Sequence, residues 1–238
     1  MTRKLTRRFF VTGTGTDVGK TAVTRALVRA LVLQGFSVGV AKPVESGVPR
    51  IDGVLRPSDA LALLRAARCD QPWQQACCYA FEAPVSPHLA AAMEGETIDA
   101  AHLHAFVQNA VDDAAIYFAE GAGGLLVPLS DALLYGDFIA QTGFELLIVA
   151  PNRLGVINDT LLTIEAARQR GIPIAGVVLN GTSDIPLGNA DAISRWGDVP
   201  VLGVFPTVDI SDVADADALF AAAAKQHLSL SRLLPTSP

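Results

Sequence analysis

The chain has 238 residues, enough for one large domain or two small ones, and 50% of them are hydrophobic, ample for a buried core. Aromatic residues make up only 6%, so that core must be built from alanine, valine, leucine and isoleucine. A net charge of -6 argues against nucleic acid as a main partner, because phosphate binding needs a basic face.

Cys69, Cys77 and Cys78 form no Cys-x-x-Cys pair and read as reduced thiols rather than a disulfide frame. No apolar run reaches the roughly 18 residues that a membrane span needs. Arg3, Lys4, Arg7 and Arg8 make a basic tip, but the apolar stretch behind it is too short for a signal segment. The expectation is a cytoplasmic protein without a membrane partner.

In chain order, residues 8–12 are strand-like and end at Gly13. Residues 19–33 are helix-like, with Val23, Ala26, Leu27, Ala30 and Leu31 at core-facing spacing. Gly35 stops that helix, and residues 37–41 form a second strand candidate. Residues 43–57 have little periodicity and read as a long irregular loop, a kind of segment that is often functional. Residues 58–68 read as a helix opened by the capping chemistry of Ser58-Asp59. Further helices are expected at 99–114, 136–141, 158–170, 190–196 and 212–225, and further strands at 116–119, 145–150, 174–179 and 201–205. This alternation implies βαβ units: an α/β fold with a mostly parallel central sheet and helices on both faces. Several strand candidates are continuously apolar, as expected where both sheet faces are covered. No repeat, linker or composition break divides the chain, so a single domain is expected.

Residues 11–21 read Val-Thr-Gly-Thr-Gly-Thr-Asp-Val-Gly-Lys-Thr, after a strand and opening a helix. That is the context of a phosphate-binding loop, in which backbone N–H groups and the helix dipole cradle phosphate oxygens. Lys20 can reach the terminal phosphates, and the Thr21 hydroxyl can ligate Mg²⁺. The loop is longer than the usual motif by a single residue: Thr14 fills the first glycine slot, and Gly13 lies just behind it.

Nucleotide-bound Mg²⁺ takes one or two carboxylates, and Asp59 and Glu120 are the candidates. Asp59 is equally readable as a helix cap. Glu120 ends the strand at 116–119 and precedes Gly121-Ala122-Gly123-Gly124, where open α/β sheets bind ligands. Lys42, at the end of the second strand, reads either as a surface lysine or as a second cation for phosphoryl transfer. Asn180 reads as a turn residue or as a contact for a base edge.

Taken together, these blocks resemble the dethiobiotin synthetase family. The resemblance rests on residues 12–21 with the extra loop residue, on Lys42-Pro43-Val44-Glu45-Ser46-Gly47, where the family shows Lys-Pro-Val-x-Ser-Gly, and on Ser58-Asp59-Ala60-Leu61. It continues through Ser86-Pro87-His88, Glu120-Gly121-Ala122-Gly123-Gly124, Pro128-Leu129-Ser130-Asp131, Leu154-Gly155-x-Ile157-Asn158 and Asn180. The ordered set spans about residues 8–206.

The resemblance implies a P-loop NTPase fold and an ATP-dependent reaction. One amine of 7,8-diaminononanoate takes up CO₂ as a carbamate, ATP phosphorylates the carbamate, and the second amine closes the ureido ring. It implies ATP contacts at Gly13, Asp17, Val18, Gly19, Lys20 and Thr21, with Asn180 and Pro206 near the adenine. Thr16, Lys42, Ser46 and Gly123 would meet the diamine and carbamate, with Lys20, Lys42 and Thr16 catalytic. Thr21, Asp59 and Glu120 would hold Mg²⁺. The family is a homodimer, and Leu154, Gly155 and Asn158 would meet the substrate carboxylate across the interface. Gly15 departs from the pattern, standing where many members have a carboxylate; Arg153 and Asp159 change the charge beside the dimer-side block, and the tail after Pro206 has no assigned role.

Two alternatives share the loop. A cobyrinate-type ATP-dependent synthase would carry an added glutamine-splitting domain, for which the chain has no room. A partitioning-type switch ATPase would carry an extra lysine in the slot that Gly15 fills.

Overall fold

The structure, a computed structural model, describes residues 7–109, 114–182, 188–210 and 215–235. In chain order the elements are β1 (Arg7–Gly13), α1 (Lys20–Leu33), β2 (Val38–Ala41), β3 (Val44–Ser46), β4 (Arg50–Ile51), β5 (Val54–Leu55) and α2 (Ser58–Ala67). Next come β6 (Tyr79–Phe81), α3 (Pro87–Met93), α4 (Ala100–Asn109), β7 (Ile116–Gly124), β8 (Pro128–Ser130), β9 (Leu133–Leu134) and α5 (Tyr135–Thr142). The chain continues through β10 (Glu145–Pro151), α6 (Val156–Gln169), β11 (Ile174–Asn180), α7 (Asn189–Gly197), β12 (Val201–Phe205) and α8 (Ala216–His227).

Among the described residues six strands form a parallel sheet in the order β12-β11-β10-β1-β7-β2. Adjacent residues of β1 point to opposite faces, as the strand's period of two requires. Phe9 and Val11 join the core beneath α1, α2 and α8, with Leu27, Leu31, Leu63 and Phe220. Phe10 joins the opposite core, with Tyr117, Phe138, Leu146 and Ile164. Each such fully buried side chain is worth about 1.5–3 kcal/mol of transfer free energy. Helices therefore cover both faces, as the apolar strand runs imply.

The chain visits β2 and β7 on one side of β1, then crosses to β10, β11 and β12 on the other. Strand order thus reverses at β1. The crevice at the carboxyl ends beside such a strand is where an open α/β sheet takes ligands, and α1 starts from that end of β1.

Three expectations change. Residues 43–57 are not wholly irregular: β3 pairs in parallel with β6, and β4 with β5 makes a small hairpin. The strand at 116–119 does not stop before Glu120. β7 runs on to Gly124, because β1 keeps pairing with it, Val11 with Glu120 and, past a bulge, Gly13 with Gly124. Glu120 is therefore an interior strand residue, and the glycines after it are strand rather than turn. Ser58-Asp59 does not cap α2 either: Ser58 is already helical, and the N-cap is Pro57, whose side chain offers no acceptor. The expected helices at 99–114 and 212–225 lie partly outside the described residues. Part of the tail now has a place, since α8 packs on α1: Arg25 pairs with Asp217 at 2.8 Å, and Phe220 meets Phe205 at a ring distance of 6.0 Å. Among the described residues no helix is long and apolar enough to cross a membrane.

Candidate active site

The loop between β1 and α1 turns on two left-handed residues, Asp17 (φ 56°) and Gly19 (φ 89°). A Cβ on Gly13 would stand 2.7 Å from the Gly15 carbonyl oxygen, so the displaced glycine permits the close return of its own loop. Lys20, the first residue of α1, folds back to donate to the Gly15 carbonyl at 3.1 Å. It is buried, and that burial, helped by the charge of Lys42, lowers its pKa to about 8.

Behind the loop lies a compact charged group. Lys42 stands just past β2 and is 3% exposed, not a surface lysine. Its ammonium donates to Glu120 Oε1 at 2.8 Å, to the Gly121 carbonyl at 3.2 Å, and pairs with Asp59 Oδ2 at 2.9 Å. Thr21 donates to the same Glu120 oxygen at 2.7 Å. Burial acts to lower the Lys42 pKa, but the charges of Glu120 and Asp59 override it and hold the ammonium above the ordinary lysine range. Burial acts to raise the Asp59 carboxyl; Lys42, then the Thr21 hydroxyl and Lys20, bring it below the ordinary range. Four residues from β7, α1, α2 and the end of β2 are thus brought together.

A fifth, Glu45 of β3, was not among the expected site residues. It is 4% exposed, and its oxygens accept from the backbone N–H groups of Asp59 and Ala60, each at 3.0 Å. The sequence offers one faint signal, an acid inside the otherwise apolar run Pro43-Val44 ahead of Ser46.

A cleft of about 800 Å³ opens over this group. Thr16, Asp17, Gly19, Lys20, Thr21, Lys42, Ser46, Asp59 and Gly123 all line it, together with Glu45 and the segment Pro84–Pro87 that leads into α3. Glu120 lies beneath the floor, fully buried. Its Oε2 has no hydrogen-bond partner among the described residues.

Among the described residues no three His, Cys, Asp or Glu side chains cluster closely enough to hold a metal by themselves. Nucleotide-bound Mg²⁺ does not require that: it keeps waters and phosphate oxygens and takes one or two carboxylates. The hydroxyl of Thr21, the partly exposed Asp59 and the unpartnered oxygen of Glu120 fit that demand.

Asn180 and Pro206 sit apart from the cleft lining, at the neighbouring ends of β11 and β12, where Gly181 N–H donates to the Phe205 carbonyl at 2.8 Å. The Asn180 amide donates to the Val18 carbonyl at 3.0 Å, so it braces the phosphate loop from outside. The contact is tight: a Cβ on Gly19 would fall 1.9 Å from that amide nitrogen. Here glycine is required twice, by its positive φ and by this neighbour.

Leu154, Gly155 and Asn158 lie outside the cleft lining, around the start of α6. Leu154 is 91% exposed, and Gly155 caps α6 in the left-handed region at φ 93°.

Comparison with known proteins agrees with these observations. A family model described as an AAA domain matches residues 7–214. The ATP-dependent dethiobiotin synthetase BioD 1 of Salmonella typhi is 36% identical over 232 residues, covering 96% of this chain and 99% of that protein. The ATP-dependent dethiobiotin synthetase BioD of Halalkalibacterium halodurans is 38% identical over 219 residues, 90% of each chain. That of Bacillus subtilis strain 168 is 35% identical over 232 residues, 96% of this chain and 97% of its own. A parallel α/β sheet with its phosphate loop at the strand-order reversal, together with relatives matched along nearly their whole length, assigns the chain: it belongs to the ATP-dependent dethiobiotin synthetase family.

Proposed function

We propose that this protein joins CO₂ to 7,8-diaminononanoate with Mg·ATP and closes the ureido ring, giving dethiobiotin, ADP and phosphate. The observation that carries this reading is the pair of buried lysines, Lys20 and Lys42, facing one cleft at the start of α1. A carbamate and a triphosphate are both anionic. Bringing them into line demands fixed positive charge, which is most of what catalysis of phosphoryl transfer requires. The names of the relatives do not favour the cobyrinate-type or partitioning-type alternatives.

In this reading the backbone from Gly13 to Thr21, with Asp17, Val18 and Gly19, cradles the phosphates. Lys20 neutralises the terminal phosphate. Lys42 orients the carbamate oxygen that attacks it, helped by the Thr16 and Ser46 hydroxyls and the backbone at Gly123. Thr21, Asp59 and Glu120 would hold Mg²⁺, whose charge offsets that of the phosphates. A carbamate oxygen is a poor leaving group; once phosphorylated it departs as phosphate when the second amine attacks the carbonyl carbon. Asn180 and Pro206 lie on the side where the adenine would sit.

The open start of α6 suits a carboxylate, because helix N-termini favour anions. Leu154, Gly155 and Asn158 would therefore bind the substrate carboxylate belonging to the cleft of a second subunit, in a homodimer. The chain then works as a single synthetase domain in the cytoplasm. The test is an incubation with the diamine, Mg·ATP and ¹³C-bicarbonate. The reading requires a product that carries one labelled carbonyl and has lost one water relative to the carbamate. An unlabelled product, or none, contradicts it.

A further inference from the structure

Helix α2 carries Asp59 in its first turn, yet its N-cap is Pro57, which has no side-chain oxygen to offer. Unmet N–H groups at a helix start need an acceptor, and here it comes from a different element. Glu45, in β3, reaches across: Oε1 accepts from Asp59 N–H at 3.0 Å and from the Ser58 hydroxyl at 3.4 Å, while Oε2 accepts from Ala60 N–H at 3.0 Å. Both oxygens are thus engaged by the start of α2. Three positions earlier, Lys42 pairs with Asp59 Oδ2 at 2.9 Å. The stretch from Lys42 to Glu45 therefore grips Asp59 twice, a base on its carboxylate and an acid on its backbone. A carboxylate at this end of a helix also meets the positive end of the helix dipole.

We propose that Glu45 is a positioning residue: by capping α2 from β3 it fixes the direction of the Asp59 carboxylate, and so the strength with which the site takes a divalent cation. The inference rests on the reading of Asp59 as a metal-holding residue.

The experiment uses the full chain in four forms: wild type, Glu45→Ala, Glu45→Gln and, as reference, Asp59→Asn. Amide hydrogen exchange over residues 58–62 is measured without metal. Mn²⁺ affinity is measured by electron paramagnetic resonance with a non-hydrolysable ATP analogue, and KM for the diamine by turnover. Glu45→Ala should speed exchange in the first turn of α2 and weaken Mn²⁺ by about tenfold or more, the usual consequence of losing a group that orients a ligand, while diamine KM moves less than about twofold. Glu45→Gln keeps one acceptor and should recover part of the loss; if the alanine variant does not fold, the glutamine variant should show the intermediate Mn²⁺ weakening by itself. Wild-type Mn²⁺ affinity in Glu45→Ala, with affinity lost in Asp59→Asn, overturns the inference and leaves the metal reading standing. Wild-type affinity in Asp59→Asn overturns the metal reading and this inference with it. Equal loss of metal and diamine affinity without recovery in Glu45→Gln marks a merely structural role and also overturns it.

Discussion

Around the carboxyl-terminal halves of β1, β7 and β2 full charges gather: Lys20, Lys42, Glu120 and Asp59, with Lys42 shared between the two acids at 2.8 and 2.9 Å. Over β10 and β11 the same edge of the sheet is held by neutral amides. Asn180 donates to the Val18 carbonyl, Asn152 to the Gly181 carbonyl at 3.3 Å, and Asn189 to Asn152 Oδ1 at 3.0 Å. The two sides are built to meet different chemistry. Buried charges are costly and persist only when paired, so they belong where an anionic reactant will need them. Amides give direction without charge, which suits the neutral edge of a base.

The charged side is most sensitive at Lys20. Lys20→Ala should lower turnover by about a thousandfold or more, since it removes a fixed cation from the phosphate side. Its stability should hardly fall: burial already disfavours the Lys20 charge, as its lowered pKa of about 8 records, so the fold loses little when it goes. Steady-state kinetics and urea denaturation measure the two parts separately.

Lys42 should behave oppositely in stability. Lys42→Met leaves Glu120, fully buried, without its cation and should destabilise the chain by about 3 kcal/mol; adding Glu120→Gln should restore part of that loss. A Lys42→Met chain as stable as wild type would contradict the paired-charge account.

On the amide side the effects are smaller. Gly19→Ala forces a strained φ and drives a methyl into Asn180, which should weaken ATP binding by about 2 kcal/mol. Asn180→Ala loses the bond to the Val18 carbonyl, worth about 1 kcal/mol, seen as a rise in ATP KM. Smallest in stability is Leu154→Ser: with Leu154 91% exposed, urea denaturation should shift by less than about 0.5 kcal/mol. Its effect should fall instead on diamine KM and on the dimer population measured by sedimentation.

The six sheet strands were legible because each holds a short apolar run between turn or helix signals, and the phosphate loop because glycines, a lysine and a threonine need that spacing to surround phosphate. β3, β6 and the β4–β5 hairpin were not legible. They are two or three residues long and pair only with partners that the fold brings near, such as Ser46 with Phe81. The continuation of β7 past Glu120 was hidden by its glycines, which read as turn until β1 is seen pairing with them. Glu45 was hidden for a related reason. Its use depends on the start of α2, fourteen positions away in the chain. Lys42 and Asp59 each had a bland alternative as surface lysine and helix cap. The burial of Lys42, the N-cap at Pro57 and the 2.9 Å contact between Lys42 and Asp59 remove both.

The most direct test of the whole account is phosphate release from Mg·ATP and bicarbonate, measured with and without 7,8-diaminononanoate. The account predicts release that depends on the diamine and disappears in Lys20→Ala. Release at the same rate without the diamine, or none with it, would contradict the assignment of this cleft to ureido-ring closure.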